Sequence, residues 1–235
     1  MNDIPDIDMG LGDMNLDLAA FDMGADDKPE RIETRYCKPR IYRHVKATAV
    51  KYDRAKDLVM DMLPAIVAGE RIDALVSGNF IFGDVFEALA VQANITIDRL
   101  IISTLAMSQE NVDSLHNLLT GGYLDKLDLL VSDYFWSHNR ASAPYIYEKL
   151  DIGDRFQLAV AGVHAKVALI ETEGRKIVMT GSANLRSARC IEVFTIETNP
   201  DLFDFHAEWI GRLMTAYATI RKGIRAGDAF NLIKD

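Results

Sequence analysis

The sequence predicts an α/β protein, an α/β/α sandwich on a mixed, largely parallel β-sheet. Two observations support this. Short apolar segments alternate with amphipathic helical stretches from residue 70 to 150, the order that threads parallel strands. Three further apolar segments between residues 163 and 197 then follow one another with no helix between them, which calls for antiparallel pairing across short turns. At 235 residues and 49% hydrophobic, the chain has enough apolar surface for a sizeable core.

The first 30 residues hold nine acidic side chains against Lys28 alone. Few are β-branched or aromatic, so they are expected to form a disordered acidic tail. Apolar residues such as Ile4, Leu11, Leu16 and Phe21 punctuate the tail. It suits either a solubilising leader or a segment that docks on a protein partner or on the chain's own basic surface. The net charge of −9 lies almost wholly there, so the body is nearly neutral and can carry a local basic patch.

Residues 31–69 are expected to be a basic and helical N-terminal extension. Arg31, Arg35, Lys38, Arg40, Arg43 and Lys46 lead into a helical stretch from Val50 to Val67, broken or kinked at Pro64. Its apolar face carries Ala55, Leu58, Val59, Met62 and Leu63. The main domain spans 70–235. Ala74–Ser77 predicts a buried strand and Phe82–Ala93 a helix. Arg99–Thr104 is the next strand, followed by a helix capped by Ser108 and stopped by Gly121-Gly122. Leu127–Val131 predicts a third strand, Ser132–Ala143 a loop, then a short helix to Leu150 and a strand over Arg155–Ala161. Asn199-Pro200-Asp201 opens a last amphipathic helix, with Leu202, Phe205, Trp209, Ile210, Leu213 and Met214 on its inner face.

Cys37 and Cys190 are too few and too far apart for a disulfide framework or a metal knuckle. No apolar run approaches a membrane span, and the acidic N-terminus is unlike a secretory signal. The expected location is cytoplasmic, without membrane attachment.

The chemistry is concentrated in Val163–Glu197. His164-Ala165-Lys166 enters an apolar strand, Lys166–Ile170. The polar turn Thr172-Glu173-Gly174-Arg175 leads back through Lys176–Thr180 to Gly181-Ser182-Ala183-Asn184, and a third strand, Ile191–Ile196, follows. Such a hairpin brings both polar clusters to one end of a sheet. These residue types suit a phosphodiester. An imidazole attacks phosphorus or carries a proton near neutral pH. The Lys166 ammonium is a compact positive charge for non-bridging oxygens. Ser182, Asn184 and backbone N–H groups after Gly181 are neutral donors for the same oxygens. There is no carboxylate cluster, so the set asks for no metal and no cofactor.

The pattern resembles the HKD signature of the phospholipase D superfamily, in which H-x-K is followed by an acidic residue and then by G-S-x-N. His164, Lys166, Gly181, Ser182 and Asn184 match it. Glu171 stands where that family usually has Asp, and Glu192 falls where it often places a Glu that orients the catalytic His. The turn holds three extra residues before the glycine. The motif covers about an eighth of the chain, and the order of elements before it fits the phospholipase D-like fold.

The resemblance implies a reaction needing two such histidines. One forms a phosphohistidine; the other protonates the leaving oxygen and then activates water. His44-Val45-Lys46 has the H-x-K spacing but no G-S-x-N follows it, so there is one motif. Single-motif members of the family form symmetric homodimers with both motifs at the two-fold axis. A homodimer is therefore implied here, with His164 of one subunit as nucleophile and His164 of the other as general acid. The implied catalytic set is His164, Lys166, Asn184 and Glu192, with Glu192 fixing the His164 tautomer. Gly181 and Ser182 would bind substrate, and Glu171 is the structural carboxylate of the motif.

Other residues admit two readings. Arg186 and Arg189 suit substrate contact or a solvated face. In the stretch Asp133–Arg140, His138 and Arg140 suit nucleic-acid binding beside Tyr134, Phe135 and Trp136; the aromatics equally suit the core. The expected function is a metal-independent phosphodiesterase of the nuclease type, with DNA or RNA as substrate. The alternative is a catalytically inactive phospholipase D-like module that binds nucleic acid or a protein complex. Lipid hydrolysis is disfavoured by the lack of an amphipathic membrane helix.

Overall fold

The computed structural model describes residues 40–43, 50–51, 55–76, 80–81, 83–139, 142–185, 187–188 and 191–219. The acidic tail, His44, Arg140, Arg186 and Arg189 lie outside the described residues.

The elements run β1 (Arg40–Arg43), β2 (Val50–Lys51), α1 (Ala55–Ala68), β3 (Arg71–Val76), β4 (Phe80–Ile81), α2 (Gly83–Ala93), β5 (Arg99–Thr104) and α3 (Gln109–Thr120). Then come β6 (Leu127–Ser132), α4 (Asp133–His138), α5 (Ser142–Leu150), β7 (Phe156–Ala161), β8 (Val167–Thr172), β9 (Arg175–Gly181), β10 (Ser187–Ala188), β11 (Glu192–Thr198) and α6 (Pro200–Ala216). Nine strands form one sheet in the order β2-β1-β3-β11-β9-β8-β5-β6-β7, and β4 pairs with β10 in a small ribbon.

The sandwich and the mixed sheet agree with the sequence reading; the expectation of a largely parallel sheet does not. Parallel pairing joins only β5, β6 and β7, and every other described interface of the large sheet is antiparallel. The alternation of strand and helix does give β3, β5, β6 and β7 a common direction. The hairpin β8–β9 and the strand β11 insert between β3 and β5, replacing a parallel neighbour with antiparallel ones.

Side chains alternate across the sheet with the two-residue period of a strand. Leu100 and Ile102 of β5, Leu127, Leu129 and Val131 of β6, and Ile177 and Met179 of β9 join the larger core under α1, α2, α3 and α5. Ile101, Leu130, Val167, Leu169 and Val178 face the other way, toward α6. α1 and β1, from the segment read as an N-terminal extension, are part of this assembly: β1 pairs with β3, and Val59, Met62 and Ile66 of α1 are buried in the larger core.

Several local departures have physical causes. Val50 and Lys51 are strand, so α1 starts at Ala55 and passes through Pro64 to Ala68. Burial of Met62 and Ile66 on either side of the proline holds the helix despite the lost hydrogen bond. The stretch Ser132–Ala143, expected as a loop, contains α4. Ser132 caps it, its Oγ accepting from the Tyr134 N–H at 3.0 Å, and Phe135 and Trp136 are core. Ser108 occupies the N-cap of α3 without a side-chain capping bond; its hydroxyl accepts instead from Asn111. The turn of the β8–β9 hairpin is only Glu173-Gly174, because Thr172 and Arg175 pair. Both turn residues have positive φ, 48° and 76°, as a two-residue type I′ hairpin requires. In α6, Asn199 caps the Leu202 N–H at 3.1 Å and Phe203 and Ile210 are buried; Phe205, expected on the inner face, is 63% exposed. No helix among the described residues is long and apolar enough to cross a membrane.

Candidate functional site

The C-terminal ends of β3, β5, β6, β7 and β9 lie at one end of the sheet, together with the starts of β8 and β11. Register fixes this: Glu192 pairs with Val76, Phe194 with Gly181, Thr180 with Val167, and Val167 with Ser103. Open α/β sheets place ligands at this end.

The loop from β7 to β8 delivers His164 and Lys166. His164 is exposed and Lys166 is half-buried. The Lys166 Nζ lies 2.8 Å from His164 Nδ1 and 3.3 Å from Nε2. An ammonium has donors only, so the ring nitrogen facing it accepts. Burial pushes the Lys166 ammonium below the usual lysine range, and the negative charge of Glu192 partly opposes that.

The turn after β9 supplies the second half of the site. The Gly181 N–H donates to the Lys166 carbonyl at 3.2 Å, tying the two halves together. Gly181 has no room for a side chain: a Cβ would come 2.7 Å from the Phe194 Cβ and closer still to the Val193 carbonyl. The Ser182 N–H donates to the Val193 carbonyl at 2.9 Å, and the Ser182 hydroxyl accepts from the Val193 N–H at 3.1 Å. The same hydroxyl donates to a Glu192 carboxylate oxygen in a short hydrogen bond. Asn184 follows, with its Oδ1 buried and without a hydrogen-bond partner, between the buried side chains of Ala183 and Leu185.

The site thus unites His164, Lys166, Gly181, Ser182, Asn184 and Glu192 at one sheet end. The Glu192 carboxylate bonds Ser182 rather than His164, so its expected role of fixing the His164 tautomer has no counterpart in the hydrogen bonding of this structure. Glu171 is elsewhere. It lies five residues along from Lys166, about 16 Å at the rise of a strand, and pairs in register with Arg99 and Lys176. His138 ends α4, exposed and stacked on Tyr134 with ring centroids 4.1 Å apart, its Nδ1 2.8 Å from the Tyr134 carbonyl. α4 follows the end of β6, so His138 shares the sheet end without a described bond to the motif.

Two residues that sequence reasoning passed over touch both halves of the site. Ser103 donates from its Oγ to the Ala165 carbonyl at 3.0 Å. Thr104 accepts from the Leu185 N–H at 3.2 Å. The only sequence signal is a pair of hydroxyl residues ending an apolar strand.

Among the described residues, no group of three or more His, Cys, Asp or Glu side chains is spaced to hold a metal ion. What the arrangement offers is an imidazole beside an ammonium, with a hydroxyl and an amide in the adjoining turn: groups that bind a tetrahedral anion and present a nucleophile to it.

No family model matches the chain, and no curated protein does. Solved structures do. A phospholipase D family member, Nuc from Salmonella typhimurium, is similar at 14% identity and a TM-score of 0.45, over 61% of this chain and 95% of its own. NucT from Helicobacter pylori is similar at 12% identity and a TM-score of 0.44, over 77% of this chain and 97% of its own. Phosphatidylserine synthase from Haemophilus influenzae matches at 13% identity and a TM-score of 0.47, over 71% of this chain but 42% of its own. At these values the likeness is one of fold, and the reading of the site rests on its own residues.

Proposed function

We propose that this chain is a metal-independent phosphodiesterase of the phospholipase D type, acting on DNA or RNA, with an active site shared between two subunits of a homodimer. The observation that supports it most is the contact between Lys166 Nζ and His164 Nδ1, 2.8 Å, beside the turn Gly181–Asn184. In this reading a ring nitrogen of His164 attacks phosphorus as the bond from phosphorus to the leaving oxygen breaks. His164 of the partner subunit, protonated, gives its proton to that oxygen. Water then attacks phosphorus, losing its proton to the same partner imidazole, and the phosphorus–nitrogen bond breaks. Lys166 leaves the imidazole to bind the non-bridging oxygens, with Asn184 and the Ser182 hydroxyl as further donors. The Glu192 carboxylate, whose charge favours the Lys166 ammonium, would then balance that charge.

The test is incubation of the purified protein with plasmid, single-stranded DNA and RNA in EDTA, beside His164→Ala. Cleavage by the parent and not by the variant is the expected result. Binding by both with cleavage by neither would replace this reading with that of a non-catalytic module on nucleic acid.

A further inference from the structure

We propose that Ser103 and Thr104, the last two residues of β5, are positioning residues that set the spacing between the His164–Lys166 loop and the Ser182–Asn184 turn from opposite faces of the sheet. The proposal rests on the phosphodiesterase reading of this site and adds residues outside the motif to it.

The two side chains alternate across the sheet as strand geometry demands. Ile101 packs toward α6 and Ile102 in the larger core, so the alternation puts Ser103 on the first face and Thr104 on the second. Both hydroxyls are buried, at 1% exposure each. On one face, Ser103 Oγ donates to the carbonyl of Ala165, the residue between His164 and Lys166, across 62 positions of sequence. On the other, Thr104 Oγ1 accepts from the Leu185 N–H, across 81 positions, and donates to the Ala106 carbonyl at 2.9 Å. The Leu185 carbonyl in turn accepts from the Ser108 N–H at 2.7 Å, so the residue after Asn184 is held on both its backbone groups by the β5–α3 connection. A small cavity beside the two attachments is lined by Ser103, Thr104, Lys166, Ala183 and Leu185 among apolar neighbours. A strand end needs no buried hydroxyl for the sheet itself; Leu100, Ile101 and Ile102 fill the middle of β5 with apolar side chains. Here each hydroxyl meets one half of the motif.

The test uses full-length Ser103→Ala, Thr104→Val and Thr104→Ser, with two readouts. The first is steady-state cleavage of bis(p-nitrophenyl) phosphate or plasmid. The second is titration of the Lys166 side-chain nitrogen by NMR. Misplacement of the loops by about an ångström should lower kcat about 10- to 100-fold in Ser103→Ala and Thr104→Val. KM should stay within about a factor of two. Thr104→Ser, which keeps the hydroxyl, should recover activity to within about threefold of the parent. In Ser103→Ala the loosened loop should let Lys166 titrate nearer the ordinary lysine value. The proposal is overturned if kcat and the Lys166 titration both stay at parental values. It is also overturned if Thr104→Ser loses as much as Thr104→Val, or if the losses vanish once each variant is assayed well below its own melting temperature. Should the parent cleave no phosphodiester, the proposed function fails, while the Lys166 titration still decides whether Ser103 sets the loop.

Discussion

Gly181 lies directly opposite Phe194 in the pairing of β9 with β11, at a separation that leaves 2.7 Å between a notional Gly181 Cβ and the Phe194 Cβ. The strand end is thus closed against any larger residue at the point where the chain turns toward Ser182 and Asn184. Gly181→Ala should destabilise the fold by about 1–3 kcal/mol through overpacking. It should also displace Ser182, lowering activity beyond what the lost stability explains. Thermal melts and kinetics on the same preparation check both parts.

In the proposed reaction, Lys166 should set the alkaline limit of activity. Burial lowers its pKa, so the ammonium needed for phosphate is lost at a lower pH than for an exposed lysine. The alkaline limb of kcat/KM should therefore fall below the usual lysine value of about 10.4. Glu192 raises the Lys166 pKa, so Glu192→Gln should move that limb further down. The folded state resists charging this lysine. Its contribution to stability is therefore complete above the unfolded pKa and is lost as pH falls through the lowered folded value. A pH–rate profile of the two proteins, with the Lys166 titration followed in parallel, tests the direction.

A shared site has a quantitative signature. If each site needs two intact His164 side chains, mixed dimers of parent and His164→Ala are inactive. An equimolar, re-equilibrated mixture should then retain roughly a quarter of the activity of the same total amount of parent. Half the activity would mean each subunit works alone. Sedimentation should give a mass near twice that of the chain.

Away from the site, Arg99 reaches the nearly buried Asp128 through two nitrogens, at 2.5 and 2.7 Å. Arg99→Leu leaves that carboxylate, 5% exposed, without its cationic partner. The expected cost is about 1–3 kcal/mol. Because this pair lies at the far end of β5 and β6 from Thr104 and Ser132, cleavage per folded molecule should be unchanged. Urea denaturation alongside the nuclease assay separates the two.

Much of this was legible because the signals were local. The apolar segments of β5, β6 and β8 read directly as strands, Asn199-Pro200 announced α6, and His164, Lys166 and Gly181–Asn184 stood in one stretch that the hairpin folds onto itself. What stayed hidden depended on distant partners. The position of β8, β9 and β11 between β3 and β5 is decided by pairing over long separations, so the mixed sheet was legible while its largely parallel character was an incorrect extrapolation. α4 is six residues long and owes its helix to buried Phe135 and Trp136 more than to propensity. Phe205 and Phe203 are two positions apart on a helix, and only the packing against the sheet decides which turns inward. Ser103 and Thr104 look like ordinary strand residues until the loops they hold are in view, and Glu192 found Ser182 because both sit at the paired ends of β9 and β11.

The central place of β8, β9 and β11 in the sheet has a consequence during synthesis. Strands β3 and β5 emerge from the ribosome well before the segment that joins them, and each waits with an unsatisfied backbone edge. A nascent chain ending at Ala161 holds two half-sheets with nothing to bridge them. The sheet closes only with β11, which ends at Thr198, and α6 follows it to cover the second core, so the candidate site and the domain come together late, and chains truncated before that point are expected to aggregate rather than fold in part.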